Sequence, residues 1–359
     1  MFAYVFVYFL LVFFVFWSLS SDKYNIKYDN IFMRVFFILF LVMVGLRHEV
    51  GGDWYRYLSR FNQINNWGLD LSLEKIIVRD IGYDFVNWLS AKAGLGIYGV
   101  NTFCALIFLI GLFTFLGTVR NKYLGLLIAY PYLIMVVSMG YTRQATALGF
   151  VLLAYTALLK EKPVHAFVYI LFALLFHKTS VICLLLFLNP NTIRKNYRLV
   201  FTILLCTIVI FFALGFQTVV SRFFTHYVFS PMSSEGGRPR AILVLIPAMF
   251  IVLFNRVQKI KFPQDYQFWF YASLIAIMIS VFSLLNLTFG DRLLLYFYPV
   301  QIIGFERMIE AFDDVAWKGF SLLYVVNGFG VVMLTWILFA SHREDWLPYS
   351  NILLTMLGQ

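Results

Sequence analysis

Six arginines stand at or near the ends of apolar segments, and they are the residues best suited to chemistry in this sequence. They are Arg47, Arg143, Arg222, Arg238, Arg240 and Arg292. An arginine keeps its charge in nearly any setting, and its planar fork matches two phosphate oxygens. Converging forks would form a diphosphate site, whereas isolated ones would snorkel to lipid headgroups. We favour binding for Arg47, Arg143 and Arg292, which adjoin apolar helices, and leave both roles open for Arg222 and Arg240.

Carboxylates and one histidine supply the candidates for proton transfer: Glu49, Asp53, Asp84, Glu235, Asp291 and His177. Asp53 follows two glycines that let backbone and ligand approach closely, and it is the first candidate for a general base. His177 lies between two short apolar runs and is the second candidate. Asp291 directly precedes Arg292, and we expect it to orient that arginine as an ion-pair partner.

The segments that must position these residues are apolar helices. Hydrophobic residues make up 62% of the 359 and charged residues only 13%, unlike a soluble domain. Because a span needs ~20 mostly apolar residues, the sequence predicts an all-α integral membrane protein with about twelve transmembrane or re-entrant helices. They form a single polytopic domain over residues 1–359. The apolar runs are Phe2 to Leu19, Ile31 to Leu46, Val100 to Val119, Leu124 to Met139, Ala145 to Leu159, Val164 to Phe176, Thr179 to Leu188, Leu199 to Phe216, Ala241 to Phe254, Gln267 to Leu285, Leu293 to Phe305 and Gly319 to Phe339.

The charges of the loops predict which side each polar segment faces. The loops Lys160 to Lys162 and Arg194 to Arg198 are both basic, so both should be cytoplasmic. The two short runs between them must go out and return, which places His177 at the bottom of an outward-facing cavity. The same alternation puts outer-side loops near 47–99 and 217–240, together with Arg143, the pair Asp291-Arg292 and residues 341–359.

Several function classes are poorly supported by the sequence. The net charge of +10 is scattered over short loops instead of forming a basic face, so we expect no nucleic acid partner. Cys104, Cys183 and Cys206 lie in apolar runs without metal-like spacing. The adjacent acidic pair Asp313-Asp314 falls on the predicted cytoplasmic side, away from the arginines, so it does not indicate a metal site beside them. Because no phosphate-binding glycine loop, serine-hydrolase elbow or zinc motif is present, we predict neither a metal site nor a cofactor.

Short motifs along nearly the whole chain resemble the EpsG family of polysaccharide biosynthesis proteins, which is similar to the Wzy-type O-antigen and exopolysaccharide polymerases. The family more often has His-Pro where this chain has His177-Lys178. The matching pieces are Gly45-Leu46-Arg47, Gly51-Gly52-Asp53-Trp54-Tyr55-Arg56-Tyr57, Gly82-Tyr83-Asp84-Phe85-Val86-Asn87-Trp88, Arg143-Gln144, His177-Lys178-Thr179-Ser180, Asp291-Arg292-Leu293, Tyr296-Phe297 and Trp346-Leu347-Pro348-Tyr349.

The resemblance implies a multi-pass glycosyltransferase of the bacterial cytoplasmic (inner) membrane, with a GT-C-like architecture and an active site that faces the periplasm or exterior. Its partners would be an oligosaccharide carried on undecaprenyl diphosphate, membrane lipids and, as a further candidate, a chain-length regulator. The expected roles divide the residues as follows: diphosphate binding by Arg47, Arg143 and Arg292; proton acceptance by Asp53 or His177; sugar contact by Trp54, Tyr55, Tyr57 and Gln144; support by Asp291, Tyr296 and Arg240.

Three other functions compete with this interpretation. A flippase or other transporter of lipid-linked oligosaccharide needs a polar site that is accessible from both sides of the membrane, whereas the polar residues here are predicted to lie on one side. An O-antigen ligase shares the arginine chemistry and differs in its acceptor, which the sequence does not identify. A membrane assembly factor leaves the outer cluster of charges unexplained.

Overall fold

The computed structural model of the chain describes residues 1–20, 26–70, 72, 79–213, 236–285 and 287–357. Throughout this part of the chain the regular structure is helical, and an isolated antiparallel bridge joins Arg47 to Asn351. The prediction of an all-α fold is therefore confirmed for these residues. The chain divides into two compact units, which are described separately: Met1–Leu153, Leu171–Lys178 and Ala316–Gln359 form the first, and Ala154–Ile170 and Thr179–Val315 the second.

Sixteen α-helices are labelled in chain order over the described residues. They are α1 (Phe2–Ser20), α2 (Ile26–Gly45), α3 (Trp54–Trp67), α4 (Ile81–Lys92), α5 (Gly96–Leu116), α6 (Lys122–Ala129), α7 (Thr142–Leu159), α8 (Pro163–Phe176), α9 (Pro190–Ala213), α10 (Gly237–Leu253), α11 (Asn255–Lys261), α12 (Tyr266–Leu285), α13 (Leu287–Leu294), α14 (Tyr298–Glu310), α15 (Val315–Phe339) and α16 (Ile352–Leu357). A π-helix, Tyr130–Val137, continues α6 into the short turn Ser138–Gly140, and a 3₁₀ helix, Lys178–Leu188, follows α8.

Six helical segments of the described chain are long and apolar enough to cross a membrane. A seventh is counted if α10 and α11, which meet at a bend of 76°, form one span. The chain is thus a multi-pass membrane protein, and each predicted apolar run overlaps one or more helical segments. The count of about twelve stays a prediction, because α8 and the 3₁₀ helix after it are shorter than a full span. The six segments are Phe2–Leu19, Tyr28–Gly45, Gly96–Leu116, Lys122–Gly140, Tyr266–Leu284 and Val315–Phe339.

The C-terminal segment of the first unit fastens the loop between α2 and α3. Trp346 is 2% exposed, and its indole nitrogen donates to the carbonyl of Met135 at 3.0 Å. Backbone hydrogen bonds join the two segments directly: Ile352 N to Leu46 O (2.9 Å), His48 N to Ser350 O (3.1 Å) and Gly51 N to Asp345 O (2.7 Å). Because the loop runs straight into α3, these bonds set where that helix begins.

A buried polar cluster joins helices within the second unit. Arg307 of α14 is 2% exposed and donates to Asp265 at 2.6 Å and to Gln258 at 3.2 Å. The same carboxylate accepts a hydrogen bond from the indole of Trp269 at 2.9 Å. A buried arginine is stabilised when each part of its fork meets an oxygen, as here. The cluster therefore ties α11 and the start of α12 to the end of α14.

We expect Gly51→Ala to destabilise the first unit more than Gly68→Ala does. Both glycines have positive φ, 109° and 78°, so either alanine costs about 1–2 kcal/mol in the left-handed region. Only at Gly51 would the added Cβ lie 2.3 Å from the carbonyl oxygen of Met139; at Gly68 it would meet nothing within 4 Å. Thermal unfolding in detergent measures the difference, and equal melting temperatures would contradict the tight approach at Gly51.

Candidate active site

A polar cavity of about 320 Å³ lies in the first unit, where three helices begin. Asp53 and Asp80 stand at the N-caps of α3 and α4, and Arg143 lies in the first turn of α7. Neither aspartate uses its carboxylate to cap its helix, so both side chains are available to the cavity. Helix N-termini carry partial positive charge and favour anions. The lining residues are Asp53, Arg56, Tyr57, Arg60, Arg79, Asp80, Tyr83, Asp84 and Arg143.

Asp80 links the cavity to the break after α8. One of its carboxylate oxygens accepts a hydrogen bond from Arg143 at 2.9 Å and lies 3.5 Å from Nδ1 of His177. The other ring nitrogen of His177, Nε2, lies 3.0 Å from the side-chain amide of Gln144. The chain therefore holds Arg143, Asp80, His177 and Gln144 in one continuous polar network. The predicted helix break at His177 is confirmed, since α8 ends at Phe176.

The three carboxylates of the cavity differ in how firmly they are held. Asp84 is 5% exposed and accepts two hydrogen bonds from Arg60, one of them at 2.9 Å. Asp80 is shared by Arg143 and His177, as described above. Asp53 forms an ion pair of 3.1 Å with Arg56, whose side chain is 86% exposed. Of the three cavity carboxylates, Asp53 thus has the partner with the most exposed side chain.

The four cavity arginines also differ in accessibility. The side chain of Arg143 is 42% exposed although it is anchored by Asp80, and Arg60 is held against Asp84. Arg79 is exposed, and no hydrogen bond or ion pair joins it to another described residue. Arg56, Arg79 and Arg143 therefore present guanidinium groups that an anionic ligand can reach. Arginines outnumber carboxylates in the lining, four to three, so the cavity carries a positive excess.

Tyrosine rings form the apolar part of the cavity wall. The ring centroids of Tyr57 and Tyr83 are 5.4 Å apart, and the guanidinium carbon of Arg143 lies 5.8 Å from the Tyr57 centroid. Burial raises the pKa of Tyr57 to about 12, while the charge of Arg143 acts in the opposite direction. The phenol is therefore neutral at physiological pH. Its ring supports the face of the arginine by a cation–π contact.

Arg47 lies outside this cavity, buried in the first unit with 1% of its surface exposed. Its guanidinium donates to the carbonyls of Val44 (2.6 Å) and Val50 (3.2 Å), and to the side chains of Asn101 (3.1 Å) and Thr142 (2.8 Å). Burial lowers its pKa to about 10, which leaves it charged at neutral pH. Its donors meet protein oxygens, an arrangement that suits a positioning role, and a direct diphosphate contact by Arg47 stays a prediction.

Burial differs among the three aromatic residues that are predicted to contact sugar, Trp54, Tyr55 and Tyr57. Trp54 is 4% exposed and packs against His48, with ring centroids 6.1 Å apart, while Tyr57 is 5% exposed. Tyr55, at 66%, is the exposed ring of the three predicted residues. Stacking on a sugar needs a free aromatic face, which the packing of Trp54 against His48 restricts, and its sugar contact stays a prediction. Tyr57 keeps a place in the cavity wall, and Tyr55 and Gln144 stay predicted sugar contacts.

Glu49, a further predicted candidate for proton transfer, is an exposed residue of the first unit, while Arg240, Asp291, Arg292 and Tyr296 belong to the second. Arg240 donates two hydrogen bonds to Asp291, at 2.8 and 2.7 Å, and the expected pairing of Asp291 with Arg292 stays a prediction. Tyr296 is fully buried, and its hydroxyl lies 3.3 Å from that of Thr179. Arg292 lies in the last turn of α13. The predicted residues Arg222 and Glu235, and with them most of the loop near 217–240, lie outside the described residues.

Five cavity residues were not predicted as site residues from the sequence: Arg56, Arg60, Arg79, Asp80 and Tyr83. Arg56 and Arg60 are four residues apart on α3, a spacing that puts them on one face of the helix, but the same pattern is typical of a solvated surface. Asp80 directly precedes an apolar helix, which by itself predicts a cap. Only the short distances from Asp80 to Arg143 and His177 in the folded chain distinguish it from an ordinary helix cap.

Comparison with known proteins places most of the chain within one sequence family. The EpsG family model matches residues 30–351. This range contains the polar cavity, the helix break at His177 and the C-terminal segment that holds the α2–α3 loop. No curated protein and no solved structure is significantly similar to the chain.

Arg47→Ala is expected to lower stability far more than Arg79→Ala. The first substitution leaves buried oxygens of Asn101, Thr142 and two carbonyls without a donor, and each such atom costs about 1–3 kcal/mol. The second removes an exposed side chain, which typically changes stability by less than ~0.5 kcal/mol. Thermal unfolding of the two purified variants tests this, and an Arg47→Ala protein that melts with the wild type would contradict the positioning role.

Proposed function

The chain belongs to the EpsG family, and from this membership and the cationic cavity we propose that it is a polysaccharide polymerase. The proposed substrate is an oligosaccharide repeat unit carried on undecaprenyl diphosphate. The observation that supports this most directly is the meeting of four arginines and three helix N-termini in one cavity of a multi-pass membrane protein. Family members of this type are polymerase-like membrane proteins of polysaccharide biosynthesis.

Arg143 is the proposed centre of diphosphate binding. Its guanidinium is oriented by Asp80 and by the face of Tyr57, and nearly half of the side chain remains exposed for a ligand. Arg79 and Arg56 supply further reachable forks on the same cavity. Donors that are already in place before the reaction stabilise the charge that develops on a departing diphosphate. For Arg292, which belongs to the second unit, diphosphate binding stays a prediction.

Asp53 is the proposed proton acceptor. A base must reach the proton through one hydrogen bond or one water, and Asp53 lies in the cavity wall with 22% of its side chain exposed. Asp84 and Asp80 are committed to arginine or histidine partners. The side chain of His177 is 14% exposed, and its Nδ1 lies 3.5 Å from the Asp80 carboxylate. We therefore propose that His177 orients Asp80 and, through Asp80, Arg143.

The proposed reaction forms one glycosidic bond and breaks one bond per cycle. A sugar hydroxyl of the incoming repeat unit attacks the anomeric carbon of the growing chain, and the bond from that carbon to the lipid diphosphate breaks. The hydroxyl proton passes to the Asp53 carboxylate, and the electron pair of the broken bond leaves with the diphosphate. Arg143 and its neighbours stabilise the added negative charge. The residues assigned here need no metal to perform these steps.

The proposal includes a GT-C-like architecture and a location in the bacterial cytoplasmic membrane, with the cavity on the outer face. Support comes from the loop charges: Arg120 precedes α6 and Lys122 is its first residue, which predicts that α6 starts inside and that α7 begins outside. The same alternation puts the end of α2 and the start of α3 outside. All three cavity helices then begin on the face where finished repeat units would be joined.

Reconstitution tests the proposed activity. The purified protein in lipid vesicles, supplied with synthetic repeat units on undecaprenyl diphosphate and no other enzyme, should produce a ladder of longer glycans. A single transfer onto a different acceptor would instead identify a ligase. Movement of intact substrate across the bilayer without elongation would identify a flippase. Intact substrate with no ladder would contradict the polymerase.

In this assay, Arg143→Ala should reduce the rate of elongation about 10²–10³-fold, the usual cost of removing one preorganised donor to a developing anion. Arg143→Lys should recover part of the rate, because it keeps the charge and loses the fork. The matched control is Arg194→Ala, an exposed arginine on a predicted cytoplasmic loop. Equal rates for Arg143→Ala and Arg194→Ala would remove Arg143 from the site.

Asp53→Asn should reduce turnover about 10²–10⁴-fold, the range for loss of a general base, while binding of the lipid diphosphate is retained. The substitution keeps the shape of the side chain and removes its proton affinity. Glu344→Gln, which neutralises an exposed carboxylate of the same unit, is the control. Turnover in Asp53→Asn equal to that in Glu344→Gln would show that another group accepts the proton.

A further inference from the structure

A large apolar groove lies in the first unit beside the polar cavity. Its volume is about 670 Å³, and the described residues that line it are all uncharged. The volume falls within the ~300–1,000 Å³ range of small-molecule sites. The rings of Phe150 and Phe172 stack in its wall with centroids 5.5 Å apart. The residues that line the groove include Gly82, Phe85, Leu89, Phe150, Phe172 and Phe176.

Helix α4 forms the boundary between the groove and the cavity. Tyr83 and Asp84 of its first turn line the cavity, whereas Gly82, Phe85 and Leu89 of the same helix line the groove. A charged face and an apolar face thus meet along one short helix. A ligand that spans both must combine an anionic group with a long apolar chain.

Gly82 lets the two sites come close together. A Cβ at this position would lie 3.0 Å from Cβ of Leu175 and 3.1 Å from the ring of Phe176, so a side chain would push α4 away from α8. With glycine, the start of α4 packs directly on the end of α8. This is the place where Asp80, two residues earlier, reaches His177, one residue after α8. The groove therefore runs up to the network that orients Arg143.

From this juxtaposition we infer that the groove binds the polyisoprenoid tail of the lipid whose diphosphate occupies the cavity. The inference rests on the proposed function and adds the location of the tail. A tail fixed beside α4 places the diphosphate at the start of that helix and in reach of Arg143. Because the tail comes from hydrocarbon and not from water, packing against the groove wall is what adds to affinity, and through this packing tail length becomes part of substrate recognition.

The test compares two donors that carry the same glycan diphosphate, one on a long polyisoprenoid tail and one on a short tail. Leu89→Trp fills the groove at a position that is 45% exposed, where the larger ring can be accommodated. Leu334→Trp, at a 41% exposed position of α15 outside the groove, is the matched control. Elongation kinetics and equilibrium binding of the glycan-free long-tailed diphosphate are both measured.

We expect Leu89→Trp to raise the KM for the long-tailed donor, and the Kd of the glycan-free lipid, by about tenfold, because the ring takes the place of tail atoms that would pack against the groove wall. The KM for the short-tailed donor should be unchanged, and Leu334→Trp should behave as the wild type. Equal effects of Leu89→Trp on both donors, or no effect on binding, would overturn the tail site. Failure of the proposed function looks different, because the wild type would then elongate neither donor, while lipid binding would still test the groove.

Discussion

The first unit depends on the side-chain hydrogen bonds that the first turn of α7 makes. Three consecutive residues each meet a different part of the chain: Thr142 accepts from Arg47, Arg143 donates to Asp80, and Gln144 meets His177. These contacts bring the α2–α3 loop, the start of α4 and the end of α8 to one point. A helix start can serve three partners in this way because successive side chains point in different directions around its axis.

Burial divides the arginines of the first unit into two classes with different roles. Arg47 is enclosed and spends its donors on protein oxygens, so it stabilises the framework that carries the cavity. Arg143 is anchored on one side only and keeps an exposed side for a ligand. A charge inside a membrane protein is costly unless it is paired, and both arrangements meet this requirement. Arg47 meets it entirely with protein oxygens, whereas Arg143 pairs with Asp80 and leaves an exposed side for an anion.

The two faces of α4 connect the chemistry of the cavity with the membrane environment. An apolar tail is soluble in hydrocarbon and a diphosphate is not, so a protein that handles both must offer the two surfaces side by side. The close packing at Gly82 brings the apolar groove to within two residues of Asp80. The same packing therefore shapes the groove and places the aspartate that orients Arg143.

The sequence by itself determined the helical class, the helix break at His177 and the grouping of residues 47–84, Arg143 and His177 on one predicted face. Hydropathy and loop charge are local properties, and they can be read without knowing which helices touch. The tertiary structure decided which side chains of that group are accessible. It buried Arg47 and Trp54, left Tyr55 exposed, and added Asp80 as the link between Arg143 and His177. These outcomes depend on contacts between residues far apart in the chain, such as Arg47 with Thr142 and Asp80 with Arg143, and hydrophobic periodicity carries no information about such pairs.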